Sequence, residues 1–450
     1  MGVFTVRQGR DIKIKGAASK ELVNSPLPSR IALKPTDLRG LKSRILVREN
    51  DVVKVGTPIL IDKLRPEIKV VSPVSGKISL IERGDKRVLL RIVIDCDGRQ
   101  EPIVFRQFSP NEIKSLSDQD TKVHLLEGGC WPFIRQRPFS KIANPSDHPK
   151  SIFVQAINTE PLAPDIDFIL KNKEQLFQAG LDVLKCLTNG NVHLCMAKDA
   201  ESKALTQAQN VLTHQFSGPH PCGNVSTHIH FIDPIKKGDI VWYLHALDVL
   251  RIGHLFLNGT FLPEKYVAVT GEGAKNRVYL KTIIGAPLRN LVEPENNKGP
   301  ARYISGNILS GTNVGMDGSL SLYDSQVTVI PEGGRRTFLG WLTPGFCSYS
   351  FTKTFVSSFL PKTEASLDTD THGSNRAIVL NEIYDELVPL DIMTYFLVKA
   401  VLAGEIEETE KLGILECDEE DFALCSFACP SKVDVSGIIR SGLDLLEKES

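Results

Sequence analysis

Residues 419–430 read Glu-Glu-Asp-Phe-Ala-Leu-Cys-Ser-Phe-Ala-Cys-Pro. The spacing Cys425-x3-Cys429-Pro430 reproduces the second half of the run C-x2-C-x2-C-x3-C-P, in which thiolates hold a [4Fe–4S] cluster. Counting back along that run puts the two remaining ligand positions at Phe422 and Glu419. Neither supplies a thiolate, so the motif predicts the frame of a cluster site without its full ligand set. The plainer reading is two cysteines packing a helical tail. The acids around it, Asp418–Asp421 among them, read as a solvated face or a helix N-terminus.

A second polar cluster runs from His214 through Gly218-Pro-His-Pro-Cys-Gly-Asn-Val-Ser-Thr-His-Ile-His230. Imidazoles and Cys222 are donor types that zinc takes. The spacing fits no finger or zincin pattern. Pro219 and Pro221 fix His220 in a loop, while His228 and His230 read as same-face positions of a strand. The expectation is a structured loop at a strand end, serving a subunit contact. The third cluster is Leu126-Glu-Gly-Gly-Cys-Trp-Pro-Phe-Ile-Arg-Gln-Arg-Pro-Phe139. Gly128 and Gly129 could let backbone N–H groups approach a phosphate. Trp131 and Pro132 follow at once, adding bulk and removing a donor, so the loop reads as filled in. Arg135 and Arg137 remain as anion contacts or surface charge. Gly306–Gly318 is glycine-rich but lacks the lysine of a phosphate loop. No G-x-S-x-G or H-E-x-x-H is present.

These clusters need elements to position them. Residues 30–100 alternate as short strands broken by Gly56-Thr57-Pro58, Ser75-Gly76 and Gly84-Asp85, a small β domain. Asp51-x-Val53-x2-Gly56-x2-Ile59 and Ser72-Pro-Val-Ser-Gly76 resemble the hammerhead of lipoyl and biotinyl carriers. Lys63 is the candidate for modification. It lies ten residues before Pro73 without Met-Lys-Met, so it is expected to be unmodified. Between 120 and 255, β-rich runs at Ser151, Asn191 and Thr227 alternate with helical stretches Asp165–Asn189 and Glu201–Leu212, followed by Trp242–Phe256 as a helix. That alternation predicts an α/β layer with a mainly parallel sheet. Tyr266–Gly271, Arg277–Thr282, Pro287–Val292 and Gln326–Ile330 follow the order of a β-grasp unit. Ile378–Leu387, Ile392–Ala403 and Val435–Leu446 read as helices.

The chain has 450 residues, is 42% apolar, and carries a net charge of −1, which gives no sign of bulk nucleic-acid binding or disorder. Charge is uneven. Residues 1–50 hold eleven Lys/Arg against four Asp/Glu, and residues 401–450 hold thirteen Asp/Glu against four Lys/Arg. These ends face solvent, different partners, or each other. The cysteines at 96, 130, 186, 195, 222, 347, 417, 425 and 429 suggest no disulfide framework and fit a reducing compartment. The first residues show no apolar leader, and Val6 stands where a myristoylation signal needs Ser or Thr. No run approaches the roughly 20 apolar residues of a span. Any membrane association is expected through a partner.

The expected class is α+β and multidomain. A lipoyl/biotinyl-like (barrel-sandwich) β domain covers 1–105 and a Rossmann-like α/β domain 106–258. A β-grasp unit covers 259–335 and a mainly helical domain 336–450. In this order, the pieces resemble redox subunits related to the NADH-binding subunit of respiratory complex I and to the Rnf C subunit. In that group the glycine loop binds FMN and NADH, and a four-cysteine helical domain holds a cluster.

The specific resemblance is to the family of A subunits of sodium-translocating NADH:quinone oxidoreductases (Nqr). It rests on Arg137-Pro-Phe-Ser-Lys141, Gly218-Pro-His-Pro221, Thr227-His-Ile-His-Phe231, Gly340-Trp341, Asn375-Arg376-Ala377, Pro389-Leu-Asp-Ile392 and Glu419–Cys425 with Cys429-Pro430. The resemblance implies an SLBB-like β-grasp unit, a degenerate flavin loop and a degenerate cluster motif. It implies a chain without cofactor or metal, peripheral on the cytoplasmic face of the bacterial inner membrane. Its partners would be the B, C, D, E and F subunits, above all the integral-membrane B subunit. In such a complex FAD, FMN, riboflavin and Fe–S belong to other subunits, NADH and ubiquinone are substrates, and Na⁺ is exported. Quinone contact is associated with the family. The alternative is a cofactor-bearing Rnf-type subunit. For the contact with partners, the basic N-terminal side chains Arg30, Lys34 and Arg39 and the imidazoles His220, His228 and His230 are the candidates.

Overall fold

Buried strands of a parallel sheet carry near-continuous apolar runs, because helices cover both faces. The strand Ser151–Ala156 follows that rule. Ile152 and Val154 enter one core with the helices Glu174–Cys186 and Ala246–Asn258. Phe153 enters the opposite core with Phe216, Ile229 and Tyr243. The computed structural model describes residues 2–295, 299–334, 338–346, 348–360, 364–380 and 382–449. The expected boundary at 335/336 and Cys347 lie outside the described residues.

Seven strands form the central sheet. Across it they run Gly2–Thr5, Leu212–Ser217, Asn191–Ala197, Ser151–Ala156, Val241–His245, Arg135–Arg137 and Lys141–Ile142. The first five are mutually parallel, and the last two add antiparallel at the edge. From Ser151–Ala156 the chain winds to one side through Asn191–Ala197 and Leu212–Ser217. It then returns on the other side as Val241–His245. The reversal opens a crevice outside the carboxyl ends of Ser151–Ala156 and Val241–His245, where doubly wound sheets take ligands.

The β domain is two facing sheets. One holds Arg30–Leu33, Leu89–Cys96, Gly76–Arg83 and Val52–Val53; the other holds Ser43–Ile45, Pro58–Asp62 and Lys69–Val71. Its core is continuous with that of the α/β domain. Lys63 is exposed beside Asp62, which is fully buried. The Asp62 carboxylate accepts from the Lys42 and Leu64 backbone N–H groups and from Arg65. A third, six-stranded sheet runs Thr312–Asn313, Ala301–Ser305, Gln326–Pro331, Glu264–Thr270, Val278–Ile283 and Ser19–Asn24. The helical unit packs Thr394–Ala403, Ala423–Ala428 and Val435–Glu449 around Tyr384, Phe422 and the buried cysteines.

Several sequence expectations are corrected. Residues 2–24 add no strand to those two facing sheets. Gly2–Thr5 closes the α/β sheet, Ile12 and Ile14 enter the helical core, and Ser19–Asn24 extends the third sheet. Thr227–Ile232 is not a strand but part of the helix Val225–Ile232. Trp242 lies in the strand Val241–His245, with the helix starting only at Ala246. The Asp165–Asn189 stretch is two helices, Ile166–Leu170 and Glu174–Cys186, separated at Asn172 with φ 63°. Glu201–Leu212 is helical only over Lys203–Thr206. The described part of Ile378–Leu387 is turns.

Ile14 is 4% exposed within the helical core, so it anchors the N-terminal segment to the far end of the chain. Ile14→Ala is expected to lower stability by about 2–4 kcal/mol. A shift of the urea midpoint with unchanged slope, compared with wild type, measures it.

Candidate functional site

The glycine loop follows the helix Asp118–Glu127. A Cβ at Gly128 would come within 2.4 Å of Leu255, and one at Gly129, whose φ is +71°, within 2.5 Å of Val71. Gly129 is therefore favoured by its left-handed backbone as well as by packing, and a side chain at Gly128 would displace Leu255. Trp131 is fully buried. Its Nε1 donates to the Ala143 carbonyl at 2.8 Å, and its ring meets Trp242 edge-on at 5.4 Å. The Pro132 carbonyl accepts from the Tyr323 hydroxyl at 2.7 Å. The loop's own side chains thus occupy the volume in which a bound phosphate would need bare backbone.

In the cluster frame, Phe422 ends the short 3-10 turn Glu419–Phe422, and Cys425 lies on the helix Ala423–Ala428. Phe422, Cys425 and Cys429 are all fully buried. The Cys429 sulfur lies 3.0 Å from the Tyr384 hydroxyl, and burial pushes the Cys425 thiol well above its ordinary value. Cluster ligation needs thiolates. Glu419 turns away to Arg39, at 2.8 Å. The donors present are two thiols beside an aromatic ring, which does not fit a four-thiolate cluster. Among the described residues no group of three or more His, Cys, Asp or Glu is arranged to hold a metal ion.

The histidine cluster separates. On a helix, positions i and i+2 point to different sides. His228 is fully buried against Phe216, at 4.4 Å, whereas His230 Nδ1 reaches Glu416 at 3.1 Å. His220 is 3% exposed and its Nδ1 lies 3.2 Å from the Thr159 hydroxyl. Burial holds His220 down to about 4 and His228 to about 3. The expected docking loop is therefore corrected: His220 and His228 are interior groups.

The basic candidates divide similarly. Arg30 is exposed and pairs with Asp95 at 2.7 Å. The Lys34 ammonium donates to the Ser319 carbonyl at 3.1 Å and the Ser321 hydroxyl at 2.7 Å, joining the β domain to the third sheet. Arg39 contacts Glu419 in the helical unit. Lys34 and Arg39 thus make contacts within the chain.

The acidic run is corrected most. Asp418 is 5% exposed and Asp421 is 1% exposed. Asp418 caps the turn while Asp421 reaches back to the Asp418 N–H. Arg137, 1% exposed, lies 3.2 Å from Asp418 and 3.1 Å from Glu420. Ser140 donates to Asp418 at 2.6 Å, Arg440 approaches it at 3.4 Å, and Asn224 donates to Asp421 at 3.0 Å. Burial alone would raise the Asp418 carboxyl, but Arg137, Arg440, Ser140 and Arg39 outweigh it and hold it low. Burial pushes Asp421 up against the same Arg137. Sequence reasoning missed this network. Its only signal was Arg137 within the string 137–141, and Tyr384 and Tyr323 left none.

The same architecture recurs in known proteins. Residues 4–97 match the "NqrA N-terminal barrel-sandwich hybrid domain", 116–261 the "NqrA second alpha/beta domain", and 266–315 the "NQRA C-terminal domain" of the SLBB type. The A subunit of the Na(+)-translocating NADH-quinone reductase of Yersinia pseudotuberculosis serotype O:1b (strain IP 31758) is 38% identical over 99% of this chain and 100% of its own length. That of Histophilus somni (strain 2336) is 39% identical over 99% and 100%. The chain belongs to that family. Among solved structures, a NAD+-reducing [NiFe]-hydrogenase in the air-oxidized state aligns over 49% of this chain and 47% of its own, at 13% identity. The TM-score is 0.34, a likeness too slight to carry an argument. Among the described residues no helix is long and apolar enough to cross a membrane.

Arg137→Met leaves Asp418 buried with its nearest charge removed, and is expected to destabilise by about 3 kcal/mol. Adding Asp418→Asn should recover part of that loss. Additive losses in the double-mutant cycle would disprove the coupling.

The buried imidazoles set an acid limit. Their folded pKa values lie below the ordinary value of 6.5. The unfolded chain therefore takes up protons first, and stability present above that pH is lost as pH falls toward 3–4. Between pH 6.5 and 5.5, His228→Leu should lose about 1 kcal/mol less stability than wild type, by urea titration at both pH values.

Proposed function

We propose that this chain is the peripheral A subunit of a six-subunit Na⁺-translocating NADH:quinone reductase. It docks on the cytoplasmic face of the bacterial inner membrane and shapes the quinone-reducing end. The observation that carries this is full-length relationship, at 38–39% identity, to proteins bearing that subunit's name. Side-chain packing supports a role without cofactor: Trp131 and Pro132 are tied into the core at the glycine loop, and Phe422 and Tyr384 share a core with Cys425 and Cys429. FAD, FMN, riboflavin and Fe–S centres belong to other subunits in this reading, with NADH and ubiquinone as substrates of the whole. The partners are the B, C, D, E and F subunits, with the integral-membrane B subunit foremost, across an interface of at least about 1,000 Å².

A cofactor-bearing Rnf-type role is the second reading. It requires thiolates at the positions held by Phe422 and Glu419. Iron and sulfide reconstitution separates the two. The first reading expects no iron retention and no broad visible absorbance, and about four irons per chain would establish the second.

The functional test is a membrane preparation lacking only this chain. Quinone reduction should fall at least about tenfold, a loss of some 1.4 kcal/mol of transition-state stabilisation or more. NADH oxidation by the flavin-bearing subunit with an artificial acceptor should persist. Full quinone reductase activity without the chain would refute the assignment.

A further inference from the structure

A crevice lies at the sheet's reversal point. It lies between the carboxyl ends of Ser151–Ala156 and Val241–His245, the start of the helix Ala246–Asn258, and the strand Glu264–Thr270. Its cavity volume is about 40 Å³, and it opens to solvent. Asp248, Arg251, Lys265 and Tyr323 are among its walls.

Two buried cations line it. Arg251 is 4% exposed. Its terminal nitrogens donate to the Leu262 and Glu264 carbonyls, while its Nε has no hydrogen-bond acceptor and lies 3.9 Å from Asp248. Lys265, 7% exposed, donates to the carbonyls of Ser321 and Leu322. An ammonium has three hydrogens, so these two contacts leave one. Behind the wall, Arg135 is clasped by the rings of Tyr243 and Tyr323 at 4.5 and 4.6 Å and touches His245 Nε2 at 3.0 Å. The helix Ala246–Asn258 points its N-terminus at this space, and no side chain caps it. Glu264 spends its carboxylate on Lys281, at 2.7 Å. Asp248 faces both Arg251 and Lys265, and Asp324 and Asp37 also act on Lys265.

Buried charge is costly unless it is neutralised, and helix N-termini favour anions. We infer that this crevice binds a small oxyanion-bearing ligand, a carboxylate or a phosphate, on Lys265 Nζ, Arg251 Nε and the first-turn amides of the helix Ala246–Asn258. Burial lowers Lys265 to about 8, opposed by Asp324, Asp248 and Asp37 and reinforced by Arg251. His245 also faces the site and is held neutral, near 3, by burial and by Arg135 and Lys265. Anion binding should therefore weaken as pH rises through about 8.

Isothermal titration of the purified full-length chain at neutral pH, with orthophosphate and with succinate in separate arms, tests this. Saturable binding with a Kd of about 1 mM or tighter is expected for at least one probe, and the arm that binds tells phosphate from carboxylate. Lys265→Met should weaken it at least tenfold. Asp248→Asn, which removes the opposing acid, should tighten it several-fold, a change that misfolding does not produce. If Lys265→Met fails to fold, Asp248→Asn decides. Absence of saturable binding by folded wild type with either probe, or an unchanged affinity in Asp248→Asn, overturns the inference.

Discussion

The burial of one guanidinium constrains the rest of the structure. Arg137 sits on the edge of the central sheet, 1% exposed, and its carboxylates come from almost three hundred residues further along the chain. A charge so placed cannot be left unpaired, so the helical unit must arrive with Asp418 and Glu420 at that point. Asp418 can be there only if its turn is formed, and it caps that turn itself. Once the turn is set, Phe422 faces inward and Cys425 follows it into the core. The ion pairs thus define where the unit sits, and the apolar groups behind them supply much of the binding. That division matches the usual energetics, in which buried pairs contribute more to specificity than to net stability.

The glycine loop and the segment around Cys425 are packed by the same means. At each, aromatic side chains are fully buried. Full burial of such a side chain contributes about 1.5–3 kcal/mol. Trp131 and Tyr323 also satisfy their polar atoms, on the Ala143 and Pro132 carbonyls, which makes their burial inexpensive. The result is a solid core, in which Gly128 and Gly129 pack close to Leu255 and Val71.

Local structure was legible in the sequence where it depended on residue type and spacing. The strands around Tyr266, Arg277 and Gln326 announced the third sheet. Legibility failed where tertiary partners decide. Thr227-His-Ile-His-Phe-Ile alternates like a strand, but it follows Asn224 into a helix that buries His228 and exposes His230 to Glu416. Val241–His245 and the helix after it form one apolar run, in which periodicity gives no boundary. The acids at 418 and 421 looked solvated because Arg137 and Asn224, their partners, are remote in sequence. The opposite charges of the two chain ends were readable, and Arg39 with Glu419 shows them meeting.

The N-terminal segment shows why no boundary drawn along the sequence could separate these units. Gly2–Thr5 pairs with Leu212–Ser217, covering an edge that would otherwise present free N–H and C=O groups. Arg10 lies over the Phe351 ring at 4.5 Å, and Ile14 bridges to Ala365. Ser19–Asn24 then pairs with Val278–Ile283. Twenty-four residues thereby complete one sheet, brace the helical unit and extend a second sheet, before the first strand of the facing sheets at Arg30. Contacts of such sequence separation cost loop-closure entropy before they return any energy. The burial of Ile12 and Ile14 in the helical core and the strand pairing at both sheet edges offset that cost.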